Sequence, residues 1–234
     1  MKVLRLAVFG IIKFIGTIII ALVLALTTLW GYFSLQLFMF CRGDYLLFVA
    51  GDLNRIPTIM IMILIVFSLF GIKKRLFNRK AKHEEIIDGK ILKLFKIGKI
   101  SYILVLIVVS YFGMTSYTIL YPESIKVGSP IVPNGVDYKY SDIKNVNVGI
   151  SKKSKKSYSP YYNVIFNDGK STDLFGASMQ ENNGVRFEYI LIDLDKELRT
   201  QGVVKTVNKE NFEKYSKGLD MDFISRVEKL FDDK

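Results

Sequence analysis

The stretch LAVFGIIKFIGTIIIALVLALTTLWGYFSLQLFMF, residues 6–40, decides how this chain is read, because Lys13 is its only charge. A bilayer core about 30 Å thick takes about 20 apolar residues in a helix, so this run is long enough to cross one. Two further runs carry no charge: PTIMIMILIVFSLFGI at 57–72 and SYILVLIVVSYFGMTSYTILY at 101–121. Between them, residues 73–99 hold ten Lys/Arg and three acids. Apolar spans flanking a basic loop predict an integral membrane protein with that loop in the cytoplasm. The expected fold is an all-α anchor of three transmembrane helices, at about 8–40, 55–72 and 101–121, followed by a small soluble α+β extracytoplasmic domain over 122–234.

The net charge of +11 is uneven. Residues 1–121 carry 15 Lys/Arg and 5 Asp/Glu, whereas residues 122–234 carry 18 and 17. Positive charge beside spans orients a membrane protein and meets anionic lipid, so the basic balance argues against a nucleic-acid partner and for the lipid bilayer. Lys2, Arg5 and Lys13 precede the first span, while Arg42 and Arg55 in the next loop are balanced by Asp44 and Asp52. The expectation is a multi-pass protein of the bacterial cytoplasmic membrane, N-terminus inside and C-terminal domain outside. Lys13 lies near the cytoplasmic end and reads as a snorkelling residue. A four-span division of residues 6–40 is disfavoured: the run has no turn or charge between Gly16 and Phe40, and a span at 33–50 would bury Arg42 and Asp44. Hydrophobicity that continues past Ala25 argues against a cleaved signal peptide, and the large Met39 and Phe40 argue against a lipid-modified Cys41. One cysteine means no intramolecular disulfide, which suits a bacterial extracytoplasmic domain better than a eukaryotic secreted one.

Within the basic loop, Ile87, Ile91, Leu94 and Phe95 recur at helical spacing. They predict an amphipathic helix, either on the inner leaflet or packed on the spans. The tail reads as strands near 124–127, 136–140, 145–150, 161–167 and 170–175, with Asp168-Gly169 as a hairpin turn. Tyr162, Val164 and Phe166 define one apolar strand face. Phe187, Ile190, Leu191, Leu194 and Leu198 mark a helix ended by Gly202, and 203–207 reads as a further strand. Phe223, Ile224, Val227, Leu230 and Phe231 mark a closing helix, capped by the Asp220–Asp222 pair. With balanced charge and two amphipathic helices, residues 122–234 are expected to fold alone.

Tyr138-Lys-Tyr-Ser-Asp-Ile143, Val146, Val148 and Tyr162-Asn-Val-Ile-Phe-Asn-Asp-Gly-Lys170 resemble a pattern in uncharacterised small membrane proteins of Gram-positive bacteria. Asp222-Phe-Ile-Ser-Arg-Val227 is similar to the closing helix of that pattern. The strand, turn and hairpin also resemble part of bacterial pleckstrin-homology-like domains. The resemblance spans roughly residues 124–230 and implies a PH-like β-roll with a packed helix. It supplies no catalytic residues.

The sequence nominates no enzyme and no cofactor. Gly169-Lys170-Ser171 has Val164 where a phosphate loop needs glycine, and sits in a hairpin context. His83, the only histidine, lies in the cytoplasmic loop, which removes a histidine metal site or a Ser-His-Asp triad from the outer domain. Asp193, Asp195 and Glu197 point to different helix faces and read as a solvated surface. Arg42-Gly43-Asp44 is a known adhesion tripeptide, but three residues match by chance often and the bacterial setting makes it uninformative. The sharpest local feature is Ser151-Lys-Lys-Ser-Lys-Lys-Ser157, flanked by Tyr158, Tyr161 and Tyr162. It reads as a solvated hairpin tip in one view, and in the other as an anionic-surface contact made by Lys152, Lys153, Lys155 and Lys156. Two functions follow: a non-enzymatic extracytoplasmic binding or regulatory domain on a membrane anchor, or an accessory subunit of a transporter or membrane enzyme with a membrane protein partner. Small residues Gly16, Ala21, Ala25, Ser110 and Gly113 permit close helix contact for the second.

Overall fold

The computed structural model describes residues 2–64, 88–154, 157–176, 178–182 and 184–232. The chain forms two units, one of Met1–Gln36 and Leu53–Met114, the other of Leu37–Asp52 and Thr115–Lys234.

The first unit is helical. Helix α1 runs Lys2–Phe40, α2 covers 55–64 after a 3-10 turn at Asp52–Asn54, and α3 runs Asp88–Thr115. Among the described residues one helical segment is long and apolar enough to cross a membrane, Ile18–Phe40, with 23 residues and a mean hydropathy of 2.1. Among the described residues, three transmembrane helices are therefore not supported. The apolar part of α3, Ile100–Thr115, is shorter than a span, and the expected span at 101–121 ends in an extended segment, Tyr117–Leu120. Hydropathy alone cannot separate a span from a strand buried on both faces, which also reads as an unbroken apolar run. The expected span at 55–72 is helical over 55–64, and its remainder lies outside the described residues. Among the described residues the amphipathic helix is not a separate element: from Asp88 onward its residues form the first turns of α3.

Gln36 is buried in this unit. Its Nε2 donates to the carbonyls of Gly113 (3.2 Å) and Met114 (2.9 Å), which have no partner inside their own helix end. Its Oε1 accepts from Asn54 Nδ2 at 3.0 Å, and Tyr32 OH donates to the Ser110 carbonyl at 2.7 Å. Gly113 makes this approach feasible, since a Cβ there would lie 2.8 Å from the Tyr32 hydroxyl and 3.2 Å from the Leu53 carbonyl.

The second unit is α+β. Its strands are β1 (Leu47–Ala50), β2 (Tyr117–Leu120), β3 (Ser124–Gly128), β4 (Val136–Lys139), β5 (Ile143–Ser154), β6 (Ser157–Phe166), β7 (Ser171–Asp173), β8 (Met179–Glu181) and β9 (Val204–Asn208). Helices α4 (Phe187–Thr200), α5 (Phe212–Ser216) and α6 (Met221–Lys229) complete it. One sheet is ordered β4-β3-β2-β1-β8, the other β7-β6-β5-β9. Every pair is antiparallel except β5 with β9, which the α4 crossover makes parallel. The unit thus holds two sheets, one of them containing a parallel pair.

Burial follows the sequence periods. Pro160, Tyr162, Val164 and Phe166 of β6 are buried at every second position, and Leu191, Leu194 and Leu198 of α4 at helical spacing. The core joins Leu47, Leu120 and Ile125 of the first sheet to Val146, Val164 and Phe166 of the second, closed by Val227, Leu230 and Phe231. Gly169 turns the β6–β7 hairpin at φ 82°, Gly202 follows α4 at φ 76°, and Asp220 caps α6 by accepting from Phe223 N.

The five-stranded sheet draws β1 and β2, two of its three inner strands, from residues 47–50 and 117–120. A fragment of 122–234 lacks both, together with the fully buried Leu47, Phe48, Ile119 and Leu120. We expect that fragment to give poorly dispersed amide NMR spectra, and residues 41–52 joined flexibly to 115–234 to give dispersed β resonances. Two glycines face tyrosines across strands, Gly128 with Tyr117 and Gly149 with Tyr161. A Cβ on Gly128 would lie 2.3 Å from the Tyr117 ring, which is held by stacking on Phe40 at 4.5 Å and by its hydroxyl donating to the Pro133 carbonyl at 3.0 Å. Gly128→Ala should cost about 1–3 kcal/mol, as overpacking does, and lower the unfolding temperature of the full chain.

Candidate functional site

The structure gathers several features at one end of the α+β unit. The last turn of α1, Leu37–Phe40, belongs to this unit, and Phe40 stacks on Tyr117 at the start of β2. Ala50 pairs with Tyr117, and Gly51 N donates to the Ser116 carbonyl at 2.9 Å. Strand β1 therefore leaves the sheet beside the point where β2 enters it. Tyr117 also pairs with Gly128, so the β3–β4 loop, residues 129–135, projects from this same junction end. Cys41, the chain's one cysteine, follows α1; partial burial pushes its thiol up to about 12, which keeps it protonated and inert at neutral pH. Burial also pushes the Tyr117 phenol up to about 12, so it stays a donor to Pro133.

Three contacts fix the direction of the lysine hairpin. The Tyr138 ring stacks on Phe166 at 3.9 Å, the Thr118 and Thr172 hydroxyls share a hydrogen bond, and Gly176 lies against Val49. Tyr138 pairs with Ile125, which pairs with Leu120; Thr172 pairs with Val164. Passing from Leu120 to Thr118 leads toward the junction end, and so does passing from Phe166 to Val164. Strand β6 followed back to Ser157, and β5 followed forward to Ser154, therefore head for that end. Lys152 and Lys153 are exposed there, and Lys155 and Lys156 lie outside the described residues. Of the flanking tyrosines, Tyr162 is buried, while Tyr158 and Tyr161 are half-buried.

The remaining nominated residues lie elsewhere. Asp195 is not on a solvated face. It is 6% exposed, and its carboxylate accepts from Tyr162 OH (3.3 Å), Lys205 Nζ (2.9 Å) and Arg199 Nη2 (2.8 Å). Position 195 is one turn from Leu191 and Leu198, so the helical period alone could have placed it inward. Burial, and then the Asp195 carboxylate, push the Tyr162 phenol well above its ordinary value. With both oxygens engaged, this carboxylate is a structural clamp rather than a general base. A second buried pair, Arg226 Nε with Glu188 Oε1 at 3.2 Å, ties α6 to α4. Asp193 is exposed and pairs with Lys196, and Glu197 accepts from Gln201.

Gly169-Lys170-Ser171 forms the β6–β7 turn, where the Lys170 backbone N–H and the Tyr138 hydroxyl hold the Asp168 carboxyl below its usual range. His83 lies outside the described residues. A groove of about 400 Å³ beside α4 is lined by Leu46, Tyr140, Asn182, Asp193 and Glu197, without a converging catalytic set. Among the described residues no group of three or more His, Cys, Asp or Glu is placed to hold a metal ion. Comparison with protein-family models, curated proteins and solved structures finds no match for this chain.

Removing one member of a buried ion pair leaves the other charge uncompensated. Asp195→Ala should therefore destabilise the protein by about 3–5 kcal/mol. Asp193→Ala, which breaks an exposed pair, should cost less than about 1 kcal/mol. Denaturant unfolding of the full chain in detergent compares the two; equal losses would show that Asp195 is not the clamp.

Proposed function

We propose that the chain is a membrane-anchored, non-enzymatic protein whose α+β domain serves binding or regulation at the surface of a bacterial cytoplasmic membrane. One observation carries this reading: the apolar segment Ile18–Phe40 ends inside the domain, with Phe40 stacked on Tyr117. The last turn of α1, Leu37–Phe40, belongs to the α+β unit, so a bilayer that takes Ile18–Phe40 tethers the domain at that turn, at its junction end. The lysine hairpin heads for that end, which favours its contact with anionic headgroups over simple solvation. Each Lys near an anionic surface contributes about 1 kcal/mol, enough for four to orient a tethered domain.

For orientation, the residues flanking Ile18–Phe40 favour the N-terminus inside and the domain outside. Lys2, Arg5 and Lys13 precede the segment, and Arg42 and Arg55 are offset by Asp44 and Asp52 after it. A second reading, an accessory subunit docked on a membrane protein partner, draws support from the exposed Ile100, Leu104, Ile107 and Val108 of α3. Copurification of a stoichiometric partner after mild solubilisation would favour it.

The leading reading is tested with Ser154→Cys in a Cys41→Ser background, since Ser154 is exposed at the hairpin tip. A membrane-impermeant maleimide should label this thiol on intact cells; labelling only after lysis reverses the orientation. An environment-sensitive fluorophore on the same thiol should respond to anionic but not neutral proteoliposomes. High salt should abolish the response because screening acts over about 8–10 Å, as should replacing Lys152, Lys153, Lys155 and Lys156 with Gln. Identical spectra in both lipids would leave the hairpin a solvated tip.

A further inference from the structure

We propose that the β3–β4 loop, Ser129-Pro-Ile-Val-Pro-Asn134, inserts its apolar tip into the interfacial layer of the bilayer as a second membrane contact. This rests on the reading above that the junction end faces the membrane. Residues 127–136, VGSPIVPNGV, contain no charge. Ile131 is 92% exposed and Val132 beside it is partly so. Ile131 and Val132 together form an exposed apolar tip flanked by Pro130 and Pro133.

The loop is built rather than slack. Ser129 N donates to the Val132 carbonyl at 3.2 Å, Val132 N to Ser129 Oγ at 3.2 Å, and Gly135 N to the Val132 carbonyl at 2.9 Å. Tyr117 OH holds the Pro133 carbonyl, so the residue that receives Phe40 also fixes the loop. These hydrogen bonds preorganise the loop around Ile131, which lowers the entropy lost on ordering it at a membrane. Its position identifies the occupant. Through Tyr117 the loop is tied to Phe40 in the last turn of α1, where Phe38 is 85% and Met39 48% exposed, and that turn ends the segment able to cross a membrane. An exposed apolar loop tied to the end of a segment able to cross a membrane has the bilayer interface as its nearest apolar occupant. Chemically, the site takes the acyl and glycerol layer of any phospholipid, independent of headgroup charge.

Trp30 is the chain's only tryptophan, so Trp30→Phe with Ile131→Trp gives a single reporter at an exposed position. In proteoliposomes of neutral phosphatidylcholine, the full chain should show blue-shifted emission. Nitroxides near the headgroup end of the acyl chain should quench it, with at least a several-fold loss of quenching by iodide, at low and high salt alike. Water-like emission quenched by iodide and untouched by nitroxide lipids would overturn the proposal. Blue-shifted emission that depends on protein density and ignores nitroxide lipids would also overturn it, in favour of a second copy as occupant. The fluorophore at Ser154→Cys separates the two levels of argument. If it responds to anionic lipid while the indole reporter in the loop stays in water, insertion alone fails; if neither senses lipid, the membrane-facing reading fails with it.

Discussion

The pairing of β1 with β2 is the constraint on which the rest depends. Leu47 lies opposite Leu120 and Ala50 opposite Tyr117, although 66 residues separate the two strands. Everything from Gly51 to Ser116 is thus an insertion between neighbouring strands, and its two ends meet in the hydrogen bond from Gly51 N to the Ser116 carbonyl. Closing so long a loop costs entropy that grows only slowly with length. The buried Phe48, Ile119 and Leu120 supply the apolar area that offsets this closure. Within the helical unit, Gln36 gives the last carbonyls of α3 the donors that their helix cannot.

Much of the α+β unit was legible because its residues obey local rules. The Asp168-Gly169 turn, the alternation of Tyr162, Val164 and Phe166, the stripe of Leu191, Leu194 and Leu198, and the Asp220 cap each specify geometry within a few residues. What could not be read is non-local. Leu47–Ala50 carries four apolar residues in a segment that reads as a loop between spans, and Tyr117–Leu120 continues an apolar run whose helix stops at Thr115. Both are buried on both faces, so neither shows the alternation that announces a strand. Asp195 misled for the opposite reason: its partner Lys205 comes from another element, and charge alone suggests solvent. The lysine run at 151–157 was visible as a feature, but its direction emerges only from the Tyr138–Phe166 and Thr118–Thr172 contacts between sheets.

The α+β unit keeps its charge inside as well as outside. Asp195 joins α4 to β9 and β6, and Glu188 joins α4 to α6. Buried pairs of this kind add less to stability than an apolar replacement of equal shape would, yet they penalise misplacement heavily, because a shifted helix leaves a charge unpaired. They fix the register of α4 on the sheet, while the apolar core fixes only its presence. Helix α4 in turn links β8 to β9, one strand in each sheet, so its register sets how the two sheets meet.

The same-end exit of β1 and entry of β2 has a mechanical meaning. In an antiparallel pair the hydrogen bonds run perpendicular to the strands. A force that draws α2 away from α3 would load those bonds one after another, beginning at Ala50 and Tyr117, instead of all at once as in shear. The centre of the five-stranded sheet is thus a zipper whose pull tabs are the two helices. Lateral tension between them would be met by peeling of the sheet from its junction end, with Leu47 and Leu120 the last to part.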